Sequence, residues 1–433
     1  MTKNICILGG GLAGLSLAYF LDLECTIFEK EHVVGGLARS FSKEGIFYDI
    51  GPHILFSKDQ EFMDWVNGLF SGKLSRLLRS NQIWFKSRFV KYPFENHLFQ
   101  LPKPDSDFCL RTFLDNPYKS YDASNMLSFF LKNFGEGITN LYLKPYNEKI
   151  WKFDPYLMST QMVSRIPKPP RQDIIDGYNS KPKEGYVHQL YFQYPESGGI
   201  QELPLILKSS AKKAKVFTDG LVVSVKKLKD KWCVRTTEKS YEFDNLVSTI
   251  PLQELSLLLE LPKEVKESIA NLKFNSIVIV LVNVDSDNIG NNFSVNLPEK
   301  KFIFHRVSKL DCLGKNYSLP GSSNLLAEIT FREGDSLSGL TDKQITDLTV
   351  DSLKNSELIS KDSKVNFTDL HREKYAYVIY DLDHAKNICL AKEHLNSLGM
   401  FLLGRFSEFE YLNMDQVVSR AKSMAQRIRM ISL

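Results

Sequence analysis

The stretch Gly9-Gly10-Gly11-Leu12-Ala13-Gly14 decides the fold, because its glycines follow the pattern G-x-G-x-x-G. A short apolar run over residues 4–8 precedes it and predicts a buried parallel strand. From residue 12 to residue 21 small and apolar side chains recur at helical spacing, and residues 24–29 again have the character of a strand. The N-terminus is therefore predicted to form a β-α-β unit of the Rossmann type.

The glycines of this stretch indicate a dinucleotide whose phosphates lie at the start of the helix. Gly9 permits the tight turn, Gly11 lets the backbone approach a pyrophosphate, and Gly14 lets the helix pack closely on the strand. Glu29 ends the second strand about twenty positions after the first glycine, where a carboxylate can accept from a ribose 2′-hydroxyl. A glycine-rich turn without a ligand is the alternative, but strand, helix and acidic residue together favour an unphosphorylated adenosine ribose.

Two further segments favour FAD over NAD. A second glycine pair follows in Val34-Gly35-Gly36-Leu37-Ala38-Arg39-Ser40, and Gly404-Arg405-Phe406 precedes a predicted C-terminal helix. Both resemble segments of the amine-oxidase-like flavoproteins. The resemblance implies that the first approaches the flavin's pyrophosphate and that the second places a helix N-terminus near the isoalloxazine ring. A plain turn is the alternative for the glycine pair, since Gly-Gly often interrupts regular structure.

The composition excludes several classes of protein. The 433 residues exceed what one compact core usually holds, and a net charge of +4 is too small for a nucleic-acid footprint. Six scattered cysteines without a C-x-x-C pair predict no disulfide framework, no metal site and a reducing compartment. The sequence shows no signal peptide and no apolar run of membrane-spanning length, so we expect a cytoplasmic protein without an integral membrane segment.

The order of helical and strand-like segments predicts an α/β fold of three parts. A discontinuous Rossmann-like FAD-binding domain would combine residues 1–58, 191–262 and 386–433. A mainly helical substrate-cleft domain would span residues 59–190, and a second, sheet-containing substrate domain would span residues 263–385. The two intervening segments would thus supply the substrate side of the site.

Several motifs are more specific than a general flavoprotein pattern. Three segments resemble those of UDP-galactopyranose mutases, namely Gly51-Pro52-His53-Ile54-Leu55-Phe56-Ser57, Tyr92-Pro93-Phe94-Glu95-Asn96 and Pro145-Tyr146-Asn147-Glu148-Lys149-Ile150-Trp151. Arg165 and Arg306 are similar to that family's diphosphate-binding pair. From about residue 5 to residue 420 the matching segments occur in the family's order.

The resemblance implies an isomerase that uses reduced FAD to interconvert the pyranose and furanose forms of a UDP- or dTDP-hexose for cell-surface polysaccharide synthesis. The resemblance implies that the flavin N5 would attack the anomeric carbon and displace the nucleoside diphosphate. The sugar adduct would open, reclose through another hydroxyl and recapture the diphosphate, which frees the flavin. Arg165 and Arg306 would stabilise the diphosphate, and His53 would favour the reduced flavin. NAD(P)H would be the reductant, and the predicted partner is the nucleotide-sugar substrate, with no nucleic acid.

The motifs and the resemblance together define the candidate site residues. The catalytic candidates are Arg165, Arg306 and His53. The cofactor-binding candidates are Gly9, Gly11, Leu12, Ala13, Gly14, Glu29, Lys30, Gly36, Leu37, Ala38, Arg39, Pro52, His53, Arg405, Asn413 and Met414. The substrate-binding candidates are Phe56, Tyr92, Phe94, Glu95, Tyr146, Asn147, Trp151, Arg165, Arg306, Tyr377 and Tyr411.

The sequence departs from the mutase pattern at two positions. Glu95 stands where an amide is expected, and its charge would sit poorly beside a phosphate; Asn413 stands where bacterial mutases commonly have an aspartate. Two other functions therefore stay open. One is an FAD-dependent oxidoreductase of the amine-oxidase or protoporphyrinogen-oxidase type, and the other is a non-catalytic flavoprotein that binds nucleotide sugars. A long polar segment over residues 167–183 is predicted to be a mobile loop that closes over the substrate.

Overall fold

The structure, a computed structural model, describes residues 4–165, 168–182 and 190–432. Its helices are α1 (Leu12–Leu21), α2 (Gln60–Phe70), α3 (Lys103–Leu114), α4 (Met126–Ile138), α5 (Lys144–Trp151), α6 (Arg171–Tyr178), α7 (Glu202–Ser210), α8 (Leu252–Leu258), α9 (Lys263–Asn271), α10 (Asp342–Asn355), α11 (His384–Ser397) and α12 (Met414–Ser432).

Its first nine strands are β1 (Ile5–Leu8), β2 (Cys25–Phe28), β3 (Ser40–Lys43), β4 (Ile46–Asp49), β5 (Leu74–Leu78), β6 (Asn81–Phe85), β7 (Arg88–Lys91), β8 (Tyr191–Pro195) and β9 (Ala214–Phe217). The remaining strands are β10 (Val222–Leu228), β11 (Lys231–Thr236), β12 (Ser240–Phe243), β13 (Asn245–Ser248), β14 (Phe274–Val284), β15 (Ser294–Asn296), β16 (Arg306–Lys309), β17 (Ser323–Phe331), β18 (Val365–Val378) and β19 (Met400–Leu402).

A parallel five-stranded sheet joins the beginning, the middle and the end of the chain. Its order is β19-β13-β1-β2-β9, and β1 pairs with β2 on one side and with β13 on the other. The side chains of β1 are completely buried or nearly so, as expected for a central parallel strand covered on both faces. The helices α1 and α12 pack against each other beside this sheet. The predicted α/β fold with a discontinuous Rossmann-like unit is therefore confirmed.

A seven-stranded sheet forms the second main layer, in the order β18-β14-β17-β16-β15-β6-β7. Its strands β14 to β18 come from the segment that was predicted to contain a sheet. Its strands β6 and β7, however, come from residues 81–91, inside the span of 59–190 that was predicted to be mainly helical. The strand β15 pairs in parallel with β6, about 210 positions earlier in the chain. The division into domains stays a prediction, and this sheet crosses its proposed boundary.

The helices α3 to α6 form a layer in which glycines allow close contact. At Gly135, where φ is +72°, an added Cβ would lie 2.3 Å from the carbonyl oxygen of Thr112 in α3. At Gly137 it would lie 2.6 Å from Cα of Cys109. The pair of glycines in α4 therefore marks a helix crossing in which backbone meets backbone.

The segment predicted to be a mobile loop, residues 167–183, contains the helix α6. An added Cβ at Gly177 in α6 would lie 2.3 Å from the carbonyl oxygen of Asn96, so the helix packs directly on the backbone after β7. The expectation of a loop is wrong over these eight residues, because their spacing allows a packed helical turn that polar composition had concealed. Residues 167 and 183, at the ends of the segment, lie outside the described residues.

Within the described ranges, none of the helices is both long enough and apolar enough to cross a membrane.

Candidate functional site

Two adjoining cavities lie between the two main sheets. The larger, about 550 Å³, runs from Gly11 and Glu29 to Met414 and is called here the dinucleotide cavity. The smaller, about 240 Å³, is lined by residues that include Arg306 and Tyr377 and is called the inner cavity. Four residues line both, namely Leu37, His53, Arg405 and Met414. A ligand group at these four residues would be reachable from both cavities.

The glycine loop at one end of the dinucleotide cavity leaves no room for side chains. A Cβ at Gly14 would lie 2.2 Å from the carbonyl oxygen of Gly9, and one at Gly404 would lie 2.8 Å from Cβ of Ala13. The helix α1 thus starts directly against the turn, and its first residues Leu12 and Ala13 line the cavity, where the unpaired N–H groups of a helix start can donate to phosphate oxygens. Gly36, where φ is +58°, brings the second glycine turn against Gly11.

Glu29 is held in place at the same end. Its Oε2 accepts from the backbone N–H of Gly10 at 2.8 Å, and its Oε1 accepts from the N–H of Glu31 at 3.0 Å. Each carboxylate oxygen has a second lone pair, so Glu29 can still accept from a ribose hydroxyl in the cavity. Arg39 is also fixed, since it donates to the carbonyl of Gly36 and to Glu373 on β18 at 2.9 Å. A cradle without Cβ atoms, a helix N-terminus and a carboxylate fit a flavin dinucleotide.

Alanine substitutions at two glycines are expected to separate folding from cofactor binding. Gly14→Ala puts a Cβ into a backbone oxygen and should lower the stability of the protein with or without flavin. Gly11 has φ of −74° and room for a Cβ, whose closest contact would be 3.7 Å from Gly36. Gly11→Ala should therefore keep the melting temperature of the apoprotein and weaken FAD binding by roughly tenfold or more. Thermal unfolding of apoprotein and flavin titration would measure the two effects; equal behaviour of both variants would contradict this assignment.

His53 occupies the junction of the two cavities as a neutral imidazole. Burial, followed by the charges of Arg405 and Arg306, lowers its pKa to about 4. Its Nδ1 lies 2.8 Å from the carbonyl oxygen of Gly51, so Nδ1 carries the proton and donates. The tautomer assigned from this geometry leaves Nε2 as a hydrogen-bond acceptor.

We expect His53 to stay neutral from pH 8 down to about pH 5. Because its folded pKa lies below the usual value of about 6.5, any stability that depends on the neutral ring is present above pH 6.5 and lost as pH falls towards 4. Long-range ¹⁵N–¹H NMR spectra of histidine-labelled protein would report the Nδ1–H form, with His53→Gln providing the assignment. A titration midpoint near 6.5 would contradict the prediction.

Asp49 organises the loop that carries His53, and the sequence analysis missed it. Its carboxylate accepts from the hydroxyl of Tyr194 at 2.6 Å, from Ser40 at 2.7 Å and from the N–H of His53 at 3.3 Å. It also accepts from the N–H of Ile200 at 3.2 Å. Burial raises the pKa of Asp49 to about 6. Its position just before the Gly51-Pro52-His53 motif is the one sequence signal that could have indicated this role.

Arg306 lies in the inner cavity as half of an ion pair. Its Nε and Nη2 donate to the two carboxylate oxygens of Glu328 at 2.5 and 2.6 Å, a forked geometry that favours arginine over lysine. The two residues are direct partners in the pairing of β16 with β17. A Cβ at Gly51 would lie 2.9 Å from Oε2 of Glu328, so the His53 loop rests on this pair. Arg306 is therefore charged but already neutralised on one side.

Two stacked tyrosines form one wall of the inner cavity. The rings of Tyr377 and Tyr411 lie 5.9 Å apart at 6°, and Trp151 meets both edge-on. Arg405 lies 4.7 Å from the ring of Tyr411 and donates to the carbonyl oxygens of Leu412 and Ala376. These contacts fix the wall and the segment that leads into α12.

The α5 residues that were predicted to bind substrate support this wall from behind. Asn147 accepts from Nε1 of Trp151 at 2.8 Å and donates to the carbonyl oxygen of Leu143 at 2.7 Å. The hydroxyl of Tyr146 donates to Asn296 at 3.1 Å. Among the described lining residues of the inner cavity, Tyr146, Asn147 and Trp151 are absent. Lys149, also part of this motif, has a structural role, because its side-chain nitrogen donates to two carbonyl oxygens of the segment after β15.

The segment after β7 also lies behind the cavity. Phe94 is buried and stacks on Tyr142 at 4.9 Å. Glu95 is 4% exposed, and burial raises its pKa to about 7. Burial likewise raises the pKa of Tyr92 to about 12. Glu95 is absent from the described lining residues of both cavities, and the conflict expected between Glu95 and a phosphate stays a prediction.

Arg79 is a cavity residue that the sequence analysis did not identify. It lies in the turn between β5 and β6, and its guanidinium is 5.0 Å from the ring of Phe56. Arg79, Phe56 and Arg306 all line the inner cavity. The backbone of Arg165 ends a short 3₁₀ helix, and its side chain lies outside the described part of the structure. The predicted pair of Arg165 and Arg306 thus stays untested, while Arg79 and Arg306 occur together.

The other candidates divide between the two cavities. The predicted cofactor residues that line the dinucleotide cavity are Gly9, Gly11, Leu12, Ala13, Glu29, Lys30, Gly36, Leu37, Ala38, Arg39, His53, Arg405 and Met414. Pro52 and Asn413 line only the inner cavity, and Gly14 lies behind the turn. The predicted substrate residues that line the inner cavity are Phe56, Arg306, Tyr377 and Tyr411.

Known proteins share this fold and parts of this sequence. A family model of flavin containing amine oxidoreductases matches residues 12–429. The crystal structure of a reduced UDP-galactopyranose mutase aligns with 100% of this chain and 94% of its own, with a TM-score of 0.90 and 22% identity. A structure from Exiguobacterium sp. 255-15, assigned as a protoporphyrinogen oxidase, aligns with 100% of this chain and 99% of its own, with a TM-score of 0.80 and 16% identity.

Among curated proteins, the coproporphyrinogen III oxidase of Staphylococcus aureus is 42% identical over 57 residues. That match spans 12% of this chain and 12% of the relative's length. The structural similarities, at identities of 22% and 16%, establish a common fold.

Proposed function

The chain belongs to the family of flavin containing amine oxidoreductases, and within that family we propose that it is an FAD-dependent nucleotide-sugar mutase. It would interconvert the pyranose and furanose forms of a UDP- or dTDP-hexose, as an intramolecular transferase serving polysaccharide synthesis. The fold shared with a reduced UDP-galactopyranose mutase supports this proposal at the level of architecture. The chemistry rests on the residues of the inner cavity.

The size and the charge of the inner cavity together support the proposal. Its volume of about 240 Å³ is below the range of about 300–1,000 Å³ that encloses drug-sized ligands. One hexose ring beside the flavin, with the nucleotide extending outwards, suits such a space better than a tetrapyrrole does. Arg79 and Arg306 in its wall offer forked donors for anionic oxygens. The polar wall thus favours a phosphorylated ligand.

The chain's own residues would bind the substrate, orient the cofactor and stabilise the departing diphosphate. Bound and reduced, FAD would supply a nucleophilic nitrogen to the anomeric carbon. Arg306 would stabilise the negative charge of the departing diphosphate and hold it close for recombination. Tyr377 and Tyr411 would pack against the sugar and exclude water. His53, neutral with a free acceptor at Nε2 and held by Asp49, would orient the cofactor at the junction.

Activity of the reduced enzyme tests this proposal. Purified protein with bound flavin would be reduced anaerobically with dithionite or NAD(P)H and incubated with UDP- and dTDP-hexoses. Conversion of a pyranose to a furanose, followed by chromatography and NMR, is expected only after reduction. Arg306→Lys keeps a charge but loses the fork, so turnover should fall by about 10- to 100-fold.

An oxidoreductase is the competing function, since one of the curated relatives is an oxidase. Oxygen-dependent peroxide formation with a porphyrinogen or an amine, with no conversion of any nucleotide sugar, would replace the proposed function by that one. Tight nucleotide-sugar binding without turnover in either oxidation state would instead indicate a binding protein.

A further inference from the structure

We infer that Asp49 is a positioning residue of the cofactor site: its ionised carboxylate joins the second glycine turn, residues 34–40, to the His53 loop, residues 50–57, so that flavin binding depends on the charge of Asp49. The inference concerns the cofactor and applies equally to a mutase and to an oxidoreductase. It follows from the four donors that meet this carboxylate and from the two segments that they connect.

Asp49 lies behind the cavity walls, at the point where two lining segments meet. It ends β4, and the pairing of β3 with β4 sets it directly opposite Ser40, the last residue of the second glycine turn. Arg39, the residue before Ser40, lines the dinucleotide cavity, and His53 lines both cavities. Asp49 itself is absent from the described lining residues of both cavities. It would therefore act on a bound flavin through these neighbours and not by contact.

Each oxygen of the Asp49 carboxylate accepts from one hydroxyl and from one backbone N–H. Oδ1 accepts from the hydroxyl of Ser40 at 2.7 Å and from the N–H of Ile200 at 3.2 Å. Oδ2 accepts from the hydroxyl of Tyr194 at 2.6 Å and from the N–H of His53 at 3.3 Å. A hydroxyl can rotate and accept instead, whereas a backbone N–H can only donate. The site therefore needs an acceptor at both positions, which the ionised carboxylate supplies and a side-chain amide does not.

The segment 199–201 binds Asp49 and the second glycine turn as one unit. A Cβ at Gly199, where φ is +74°, would lie 2.2 Å from Oγ of Ser40 and 2.9 Å from Oδ1 of Asp49. Ser40 also accepts from the backbone N–H of Gln201 at 3.1 Å, and its own N–H donates to the side chain of Gln201 at 3.0 Å. A change in the charge of Asp49 would therefore reach the turn and the His53 loop together.

The negative charge of Asp49 costs stability. The residue is 1% exposed, and burial raises its pKa to about 6, although the four hydrogen bonds act in the opposite direction. Because this folded pKa lies above the usual value of about 3.9, folding favours the neutral acid. That contribution to stability is present below pH 3.9 and is lost as the pH rises through 6. The fold thus bears an ionised carboxylate at pH 7 at its own expense, which is typical of functional sites.

The titration of Asp49 is distinct from that of its surroundings. Burial raises the pKa of Tyr194 and of Tyr317, and it lowers the pKa of His53 to about 4. In the described part of the chain, burial and the four donors are what shifts the pKa of Asp49. The titratable or charged side chains on the elements packed around it are Arg39 of the second glycine turn, His53 of the loop, Tyr194 of β8, Glu202 of α7 and Tyr317 of the turn before β17.

The affinity of the protein for oxidised FAD, measured against pH, tests the inference. Apoprotein would be titrated with FAD between pH 8 and pH 5, and the change in flavin fluorescence would give Kd. If the ionised form of Asp49 is the one that accepts the flavin, the wild type should bind about tenfold more weakly at pH 5 than at pH 7, with a midpoint near pH 6. Asp49→Asn should bind FAD about tenfold or more weakly than the wild type at pH 8, without this step.

Two further variants serve as controls. Tyr194→Phe removes a donor that stabilises the charged form, so the midpoint should move to higher pH while the affinity at pH 8 changes little. Asp287→Asn is the matched control, because Asp287 is also buried and accepts from the N–H of Ile289 at 2.7 Å and from the hydroxyl of Ser323 at 2.5 Å. It should lower the melting temperature of the apoprotein and leave the affinity for FAD and its pH profile unchanged.

The outcomes decide between a positioning role and a purely structural one. A flat profile of the wild type between pH 8 and pH 5 overturns the inference, even if Asp49→Asn does not fold. A step at the same pH in Asp49→Asn assigns the titration to another group and also overturns it, as does an Asn variant that binds FAD like the wild type. Because FAD binding precedes any turnover, these results and the assay of mutase activity can fail independently of each other.

Discussion

Replacing Arg306 with methionine is expected to lower the free energy of unfolding by about 3–5 kcal/mol, because it leaves a buried carboxylate without its counter-charge. The side chain of Glu328 is 0% exposed, whereas that of Arg306 is 30% exposed. Removing the other partner, by Glu328→Gln, should therefore lower the free energy of unfolding by less, since water still reaches the remaining guanidinium. Urea unfolding monitored by tryptophan fluorescence would measure both variants.

A double variant distinguishes stability from substrate binding at this pair. Arg306→Met combined with Glu328→Leu removes both charges and should recover most of the lost stability. It should nevertheless fail to bind nucleotide sugars, because the forked donor is gone. Lys309→Met is the matched control, since Lys309 pairs with the buried Asp287 at 2.7 Å away from the cavity lining. It should destabilise the protein without changing nucleotide affinity. Normal nucleotide binding by the double variant would show that Arg306 has only a structural role.

Gly135→Ala is expected to destabilise the helical layer by about 3 kcal/mol or more. The substitution combines a backbone conformation that is essentially confined to glycine, with φ of +72° and ψ of +179° and a cost of about 1–3 kcal/mol, with a Cβ 2.3 Å from the carbonyl oxygen of Thr112. Backbone atoms cannot move aside as a flexible side chain can, so the overpacking adds about 1–3 kcal/mol.

The control for this prediction is Gly290→Ala. Gly290 also has a positive φ, +66°, but a Cβ there would meet no atom within 4 Å. It should therefore cost only about 1 kcal/mol, the part that comes from the backbone. Thermal unfolding of the two variants would measure the difference; equal losses of stability would mean that the crossing of α3 and α4 yields to the added methyl group.

The dinucleotide end of the site could be predicted because its determinants are local. The turn needs glycines where backbone approaches backbone, and Gly9, Gly11 and Gly14 stand next to each other in the chain. Glu29 follows the first glycine at the separation that one helix and one strand, α1 and β2, impose. Periodicity alone predicted α1 over the residues that the structure gives, 12–21.

The inner cavity could be predicted only in part, because distant strands build it. Arg79 lines the cavity from the turn before β6, and β6 joins the sheet by pairing with a strand about 210 positions later. No local pattern encodes that register. The resemblance named Tyr377, Tyr411 and Arg306 as substrate-binding residues, and all three line the inner cavity, while their role stays a prediction. It also suggested direct contact for Asn147 and Trp151, whose hydrogen bond to each other shows a supporting position.

The strand order of the parallel sheet has a consequence for how the protein is made on the ribosome. The glycine loop leaves the exit tunnel early, whereas β19, which completes the sheet, is formed by residues 400–402 and is synthesised late. At about 5–20 residues per second, roughly 20–80 seconds of synthesis separate the two. Throughout that interval the nascent chain carries a phosphate-binding turn without the segment from Gly404 to Met414 that closes the dinucleotide cavity. The strand β1 meets its partners β2 and β13 before synthesis ends, whereas the edge of β13 stays open until β19 is made. Flavin binding in the complete cavity is therefore expected only after the segment from Gly404 to Met414 has been synthesised.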